Sequence, residues 1–361
     1  MISKSEGELP AVVAPTAACP RTAPRALLAL DPAMAREVFT AQAWRRLEAC
    51  VRLDRSLTAV GGFDDPALRE ELAACEILIT GWGSPHLGPS ALARMPRLGH
   101  VVHCAGTVKA LFDPAVYARG VSVSNAAEAN AVPVAQYTLA AIILGAKRAF
   151  TLAHRLGAGS LDEHGSHRDL TGLPWLGTRG LTVGVIGASR IGTRVVRLVR
   201  EVLDASVLLY DPYTDAGLTA DPAVRRASLA ELLRRSDVVS VHAPLTPETD
   251  RLIGAAELAL MRDGTVLVNT ARGGLVDTDA LRREVLRGRI DAVLDVTDPE
   301  PLAEGDDLHG APNAFITPHI AGALGNEITR LGDLAVAEIE RITSGLEPWH
   351  AVDAAGLGRL A

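Results

Sequence analysis

Lysine is nearly missing from this chain: three in 361 residues, Lys4, Lys109 and Lys147, too scattered to form a polybasic membrane patch. Positive charge as a whole is in deficit. With 36 Lys plus Arg against 43 Asp plus Glu the net charge is −7, which argues against a nucleic-acid binder, because phosphates must be met by a basic face. The four cysteines, Cys19, Cys50, Cys75 and Cys104, lie far apart with no CxxC spacing. That excludes a disulfide framework and a thiolate zinc site, and a reduced, cytoplasmic setting is expected. No His/Cys/Asp cluster has ligand spacing, so no metal is expected. The most apolar stretch, Val132 to Ala146, contains Gln136 and stops at Lys147, short of the ~20 residues a bilayer needs. Pro10, Pro15 and Pro20 interrupt the apolar core that a signal peptide would require.

What is present is ordinary globular composition, 48% hydrophobic and 22% charged, enough for about two domains at roughly 150 residues each. Residues 1–24 read as a flexible Ala/Pro arm. Short β-like runs follow (Ala26–Leu30, Leu57–Val60, Glu76–Thr80, Val101–Cys104, Val121–Ser124), separated by helical stretches at Ala35–Val51, Pro66–Ala74 and Pro89–Met95. Such alternation implies crossover connections and a parallel sheet with helices on its faces. Val132 to about Leu156 reads as one long helix, and Gly157–Arg179 as a loop. A second βα series then runs through Leu181–Ile186, Ser206–Tyr210, Val238–Val241, Thr265–Asn269, Ala292–Asp295 and Ala314–Ile316, with a last helix near Asn326–Ser344.

The segment Leu181-Thr-Val-Gly-Val-Ile-Gly-Ala-Ser-Arg-Ile-Gly192 is an apolar strand entering a glycine turn and a helix. Gly187 permits the turn and Gly192 lets helix and strand pack closely, while the helix start around Arg190 and Ile191 offers N–H groups to a pyrophosphate. Ser189 replaces the middle glycine of G-x-G-x-x-G, placing a Cβ where backbone usually approaches the phosphates. Asp211 follows 19 residues after Gly192, at the end of the next strand. A carboxylate there accepts the adenosine ribose hydroxyls and repels a 2′-phosphate, so NAD is expected rather than NADP.

Four further segments complete the pattern: His242-Ala-Pro-Leu-Thr-Pro-Glu-Thr249, Val268-Asn-Thr-Ala-Arg272-Gly-Gly-Leu-Val-Asp277, Leu294-Asp-Val-Thr-Asp-Pro-Glu300-Pro-Leu302 and Ile316-Thr-Pro-His319-Ile-Ala-Gly322. Together they resemble the D-isomer-specific 2-hydroxyacid dehydrogenases, which include phosphoglycerate, glyoxylate and hydroxypyruvate enzymes. The clear resemblance covers about Val132 to Gly322. It implies a catalytic Arg272, Glu300 and His319. The chemistry explains the residue types. Reduction of a 2-keto acid brings a hydride to the carbonyl carbon and a proton to its oxygen, and an imidazole holds a proton near neutrality. A carboxylate beside it orients the ring, and an arginine fork binds the substrate carboxylate while polarising the carbonyl. Asp298 is the rival to Glu300, but the family's acid directly precedes proline, which selects Glu300.

The same resemblance implies cofactor contacts from His242, Ala243, Pro244, Thr270, Ala271, Asp295 (at the nicotinamide carboxamide), His319 and Gly322. His242 reads equally well as loop packing, Asp295 as a turn cap and Arg190 as a solvated helix residue. The implied substrate loop is Ala105, Gly106, Thr107 and Lys109, with Trp82 as a second wall. Here the chain departs from the family's Gly-x-Gly-x-Asp-Asn pattern, and Lys109 reads either as a contact to a second anionic group or as a surface lysine.

The implied fold is α/β with two doubly wound parallel-sheet domains: a Rossmann domain, 131–322, inserted into a flavodoxin-like substrate domain, 25–130 and 323–361. The implied partners are a small anionic carboxylate substrate held in the interdomain cleft, and a second copy in a two-fold dimer through the helix near Val132. Three activities are consistent with these residues. The first interconverts a 2-keto acid and a D-2-hydroxy acid. The second acts on phosphite or a phosphono-substituted substrate; the formate branch is disfavoured because it carries Gln where this chain has Glu300. The third is a non-catalytic NAD(H)-sensing binding protein.

Overall fold

The structure, a computed structural model, describes residues 23–109, 111–159, 177–213 and 217–354. The arm expected over 1–24 lies outside the described residues as far as position 22, as do residues 160–176 of the expected loop. The chain divides into two units. One holds the described residues up to Ala126 together with Leu331–Ala354, and the other holds Ala127–Arg330.

In the first unit four parallel strands, β1 (Ala26–Ala29), β2 (Ile77–Thr80), β3 (His100–His103) and β4 (Ser122–Asn125), pair in chain order. All are short and almost wholly buried, as strands covered on both faces must be. Outside β1, Arg52 and Thr58 form isolated parallel bridges to Arg25 and Leu28, so a fifth, rudimentary strand flanks the sheet in the flavodoxin-like order 2-1-3-4-5. The strand expected at Leu57–Val60 is reduced to this bridge. Thr58 turns its hydroxyl back onto the Leu30 carbonyl and accepts from Val60 N–H, which draws the backbone out of the ladder. The helix expected over Ala35–Val51 is two, Pro32–Val38 and Ala41–Cys50, because Thr40 caps the second through Ala43 N–H.

The last helix, Thr329–Thr343, returns to this unit. Gly332 lets it close onto the first helix: a Cβ there would stand 2.1 Å from the Val38 carbonyl oxygen. Arg46, almost fully buried, grips Glu340 with two bonds of 2.8 and 2.7 Å. Beyond it Val352 N–H donates to Val123 O, so the chain's late residues finish the edge of β4.

The second unit is built on seven parallel strands, β5 (Thr182–Ile186), β6 (Ser206–Tyr210), β7 (Val224–Arg226), β8 (Val238–Val241), β9 (Thr265–Asn269), β10 (Ile290–Leu294) and β11 (Ala314–Ile316), in the order β11-β10-β9-β8-β5-β6-β7. The order reverses between β5 and β8, the place where a doubly wound sheet opens a crevice for ligand. One face packs Ile142, Val195 and Val199 against Val183, Val207 and Val268; the other packs Leu232, Leu258 and Leu281. β7 was not anticipated: its three residues include exposed Arg225 and Arg226, so it carries no apolar pattern.

The long helix starts at Ala127 rather than Val132 and ends at Ala146, with a separate helix over Ala149–Gly157. The break falls at Arg148, which adopts a left-handed backbone (φ 54°) and buries its guanidinium against Asp291 and the Gly264 carbonyl. Its 20 residues suffice by length and composition to cross a membrane, and 56% of the apolar window is buried inside the unit.

Gly332→Ala should cost about 1–3 kcal/mol by forcing a methyl into the Val38 carbonyl. The check is denaturant unfolding of the full chain. A variant as stable as the parent would mean that this helix contact is not required.

Candidate functional site

The glycine turn leaves β5 at the sheet's switch point. Gly187 has φ +96°, and a Cβ on it would lie 2.6 Å from the Ala243 nitrogen, so the turn and the end of β8 touch backbone to backbone. Gly192 is as tightly held, its missing Cβ facing the Gly187 carbonyl at 2.0 Å and the His242 Cβ at 3.2 Å. Ser189 has extended backbone angles that need no glycine, and it caps the helix Arg190–Val202 by accepting from Gly192 N–H at 3.2 Å. The serine in the glycine pattern is thus an N-cap, and it leaves the N–H groups of Arg190 and Ile191 without a partner among the described residues.

Asp211 closes the other side. Its carboxylate accepts from Ala188 N–H and Tyr213 N–H, both at 2.6 Å, which fixes the acid beside the turn and leaves lone pairs for two hydroxyls. A cavity of about 690 Å³, lined by Ala188, Thr193, Arg197 and Tyr213 among others, opens next to it. A turn that a Cβ would fill, unpaired N–H groups at a helix start and a pinned carboxylate fit the pyrophosphate and ribose of a dinucleotide. The Arg190 side chain pairs with Glu128, which also holds Arg194.

His242 sits under the turn. It is 2% exposed, with Nε2 bonded to Ser240 Oγ at 2.8 Å, and burial pulls its pKa down to about 3. Nδ1 has no partner in its buried surroundings among the described residues. Pro244 follows, its carbonyl accepting from Thr249 Oγ1.

The proton-transfer candidates converge on the ends of β9, β10 and β11. Asn269 shapes the first turn by accepting from Ala271 N–H and donating to the Arg272 carbonyl. Thr270, buried, bonds Thr138 of the long helix at 2.8 Å. Arg272 is largely buried, which pulls its guanidinium pKa down, while the nearby Glu300 charge pushes it up. Gly273 makes that proximity possible: a Cβ on it would lie 1.9 Å from the Thr297 carbonyl, so only glycine brings the arginine turn against the segment bearing Glu300. Glu300 in turn meets His319, Oε1 to Nδ1, at 2.6 Å, and both side chains keep about half of their surface open. Asp298 is exposed.

His319 has a left-handed backbone (φ 56°), unusual for a residue with a Cβ. Asp295 explains how it is held. This carboxylate, 1% exposed, accepts from Thr317 Oγ1, Ile320 N–H and Ala321 N–H at 2.7–2.9 Å, and its carbonyl accepts from His319 N–H. Tyr137 extends the network by bonding Thr317 Oγ1 at 2.7 Å. The partners of Asp295 are therefore those of a loop clamp on both sides of His319. Nothing in the Asp-Val-Thr-Asp-Pro-Glu run announces this, because the bonds come from residues 22 to 26 positions later. Gly322 faces Asn130, whose Oδ1 accepts from Ala323 N–H.

The expected substrate residues lie in the other unit, on loops after adjacent strands. Trp82, 38% exposed, follows β2 on a turn tied to β1: Asp31 N–H donates to the Trp82 carbonyl, and Ser84 accepts from Gly81 N–H. Ala105, Gly106 and Thr107 follow β3 and become steadily more exposed, and Lys109 is exposed. Cys75 and Cys104 are buried thiols pushed up to about 12, so neither is a nucleophile. Among the described residues no group of three or more His, Cys, Asp or Glu is placed to hold a metal.

Residues 140–321 match the family model described as D-isomer specific 2-hydroxyacid dehydrogenase, NAD binding domain. Among curated proteins, the chain is 32% identical to a glyoxylate reductase of Aeropyrum pernix, over 73% of this chain and 78% of the relative. It is also 32% identical to a D-3-phosphoglycerate dehydrogenase of Archaeoglobus fulgidus, over 65% of this chain and 43% of that protein. The chain spans about half the length of the phosphoglycerate dehydrogenases it matches. Among solved structures, the apo D-mandelate dehydrogenase of Rhodotorula graminis superposes with a TM-score of 0.76 at 26% identity, covering 91% of this chain and 98% of that one. With the glycine turn, the pinned Asp211 and the Arg272–Glu300–His319 cluster already in place, these matches settle the family: the chain belongs to the D-isomer-specific 2-hydroxyacid dehydrogenases, and its cofactor is NAD.

Proposed function

We propose that this protein interconverts a 2-keto acid and a D-2-hydroxy acid with NAD, using His319 as the acid/base, Glu300 as its partner and Arg272 as the anchor for the substrate carboxylate and carbonyl. The observation that carries this reading is the 2.6 Å contact of His319 Nδ1 with Glu300 Oε1, with the largely buried Arg272 guanidinium close enough to feel the same carboxylate.

Because Nδ1 is committed to Glu300, Nε2 is the nitrogen left to give or take the substrate proton. When bound, the nicotinamide ring gives or receives the hydride at C2 of the substrate. As the C2–oxygen π pair moves onto oxygen during reduction, His319 releases its Nε2 proton to that oxygen and the product is the hydroxy acid; oxidation reverses both transfers. The Arg272 fork holds negative charge on the substrate, and its partial burial strengthens that attraction. Asp295 acts through the loop, as a positioning residue for His319. The Trp82 turn and the loop after β3 belong to the same reading as the substrate-recognition side. A homodimer through the helix Ala127–Ala146, which keeps Leu144 exposed, belongs to it as well.

The test is NADH consumption against a panel of 2-keto acids: glyoxylate, hydroxypyruvate, phosphohydroxypyruvate, phosphonopyruvate and bulkier acids, with NADPH in parallel. Turnover of one member supports the reading. Silence across the panel with NADH still bound would replace it with a sensor or a non-carboxylate substrate.

His319→Gln should lower kcat by about 10²–10⁴-fold, the usual worth of a general acid, with little change in NADH affinity; an unchanged kcat removes His319 from the mechanism. Asp295→Asn exchanges one accepting oxygen for an amide that cannot accept from the 317–321 loop. It should lower kcat by at least about tenfold, since a slight misplacement of a catalytic group is costly, and normal turnover would show that the clamp is dispensable. Asp211→Ala should weaken NADH by about tenfold, on the scale of hydrogen bonds to a charged group, and narrow the preference over NADPH. A wild type that already favours NADPH would overturn the ribose assignment.

A further inference from the structure

His319 stands in a stretch that packing does little to hold: Pro318, His319 and Ile320 are all exposed. Its position depends on hydrogen bonds to its neighbours, and one of these leads outward to the helix Ala127–Ala146. Tyr137 of that helix places its hydroxyl 2.7 Å from Thr317 Oγ1. Thr317 Oγ1 in turn donates to Asp295 Oδ1 at 2.7 Å. A threonine hydroxyl has one proton, and this one is spent on the carboxylate. Tyr137 is therefore the donor in its bond to Thr317, and a directed chain runs from phenol to hydroxyl to carboxylate. Burial pushes the phenol pKa up, and the Asp295 charge adds to the rise, so the donated proton stays in place.

The direction matters. A hydroxyl that accepts a hydrogen bond is polarised into a stronger donor, and accepting one also limits its rotation. Without Tyr137 the Thr317 hydroxyl is free to turn away, and Asp295 loses one of the three donors that bend the 317–321 loop. Thr317 lies only two residues before His319.

The helix is a firm base for such a bond. Thr138, the next residue, is fully buried and spends its own proton on the Val134 carbonyl at 2.7 Å. It therefore accepts from Thr270, just past β9, at 2.8 Å. Gly145 lets the same helix lie on β9, since a Cβ there would stand 2.8 Å from Val266 Cγ1. Asn130, about two turns before Tyr137 on the same face, accepts from Ala323 N–H. The helix thus grips the chain on both sides of His319, at residues 317 and 323.

We propose that Tyr137 is a positioning residue for His319: it donates to Thr317, fixes that hydroxyl on Asp295 and so ties the loop bearing the acid/base to the helix Ala127–Ala146. The inference rests on the keto-acid reading above and assigns to that reaction a residue outside the Arg272–Glu300–His319 cluster.

The experiment compares wild type, Tyr137→Phe, His319→Gln and the double variant by NADH titration and by steady-state kinetics with the best 2-keto acid of the panel. Hydrogen exchange of the peptide spanning residues 317–323, followed by mass spectrometry on the full chain, gives a readout independent of turnover. Tyr137→Phe removes only the hydroxyl. It should lower kcat about three- to tenfold, the scale of one net hydrogen bond, with KM and NADH affinity little changed. Exchange of the 317–323 peptide should speed up. In the His319→Gln background the same substitution should cost nothing further in kcat, because a residue that acts through His319 has nothing left to position. An unchanged kcat in folded Tyr137→Phe would overturn the proposal. So would a loss that persists in full in the double variant, or an equal loss of NADH affinity, the mark of a merely structural role. If Tyr137→Phe does not fold, Thr317→Val, which interrupts the chain at the next hydroxyl, takes its place with the same expected direction. A wild type that reduces no keto acid would sink the catalytic reading. Faster exchange of 317–323 in Tyr137→Phe would then keep the tether to the helix, and unchanged exchange would end both.

Discussion

One buried carboxylate holds the reactive end of the nucleotide unit together. Asp295 lies at the end of β10, out of water, where an unpaired charge would be costly. It is met by three donors from residues 317–321, and these charge-assisted bonds offset its desolvation while bending that loop back on itself. His319 stands at the bend with a backbone conformation that costs about 1–2 kcal/mol for a residue with a Cβ. The clamp on either side makes that conformation persist, and the ring emerges pointing at Glu300. Strain at one residue is thus maintained by saturation at another.

The second constraint is the absence of side chains at chosen points. The Gly187 turn lies on the backbone of Ala243, and the turn after Arg272 lies on the carbonyl of Thr297. Each contact sets the distance between two loops at the carboxyl edge of the sheet, the first for the dinucleotide and the second for the Arg272–Glu300 approach. Between them the side chains do comparatively little steering. Ser189 shows how the frame absorbs a change: the serine takes the capping role, and the two N–H groups after it stay available.

Much of this was legible in the residues. The two βα series, the glycine turn, the acid ending the second strand and the Arg, Glu and His motifs all rest on local spacing, and local spacing survives folding. What escaped notice depends on distant partners. Asp295 is an acid in an acidic turn until the loop after β11 folds over it, and His103 is a histidine ending a strand until β2 supplies Thr80. The long helix read as one because its apolar run continues through the break, and only the burial of Arg148 against Asp291 shows where it turns. The strand at Leu57–Val60 had the right composition, yet the Thr58 side chain takes up the Val60 N–H and the Leu30 carbonyl. β7 lacked an apolar signal altogether.

The way the first unit closes has a consequence for the order of events at the ribosome. Its sheet is laid down early, but Gly332, Glu340 and Val352, which cover the first helices and finish the edge of β4, are translated more than two hundred residues after Val123. Among the described residues the nucleotide unit is one uninterrupted segment, and its clustered core is on hand before then. The nucleotide unit can therefore mature first and shorten the loop that the other must close, while a chain stopped before residue 331 would leave the apolar faces around Val38 and Val123 uncovered. For a nascent chain, then, the part most in need of chaperone protection is the one whose sheet precedes the nucleotide unit.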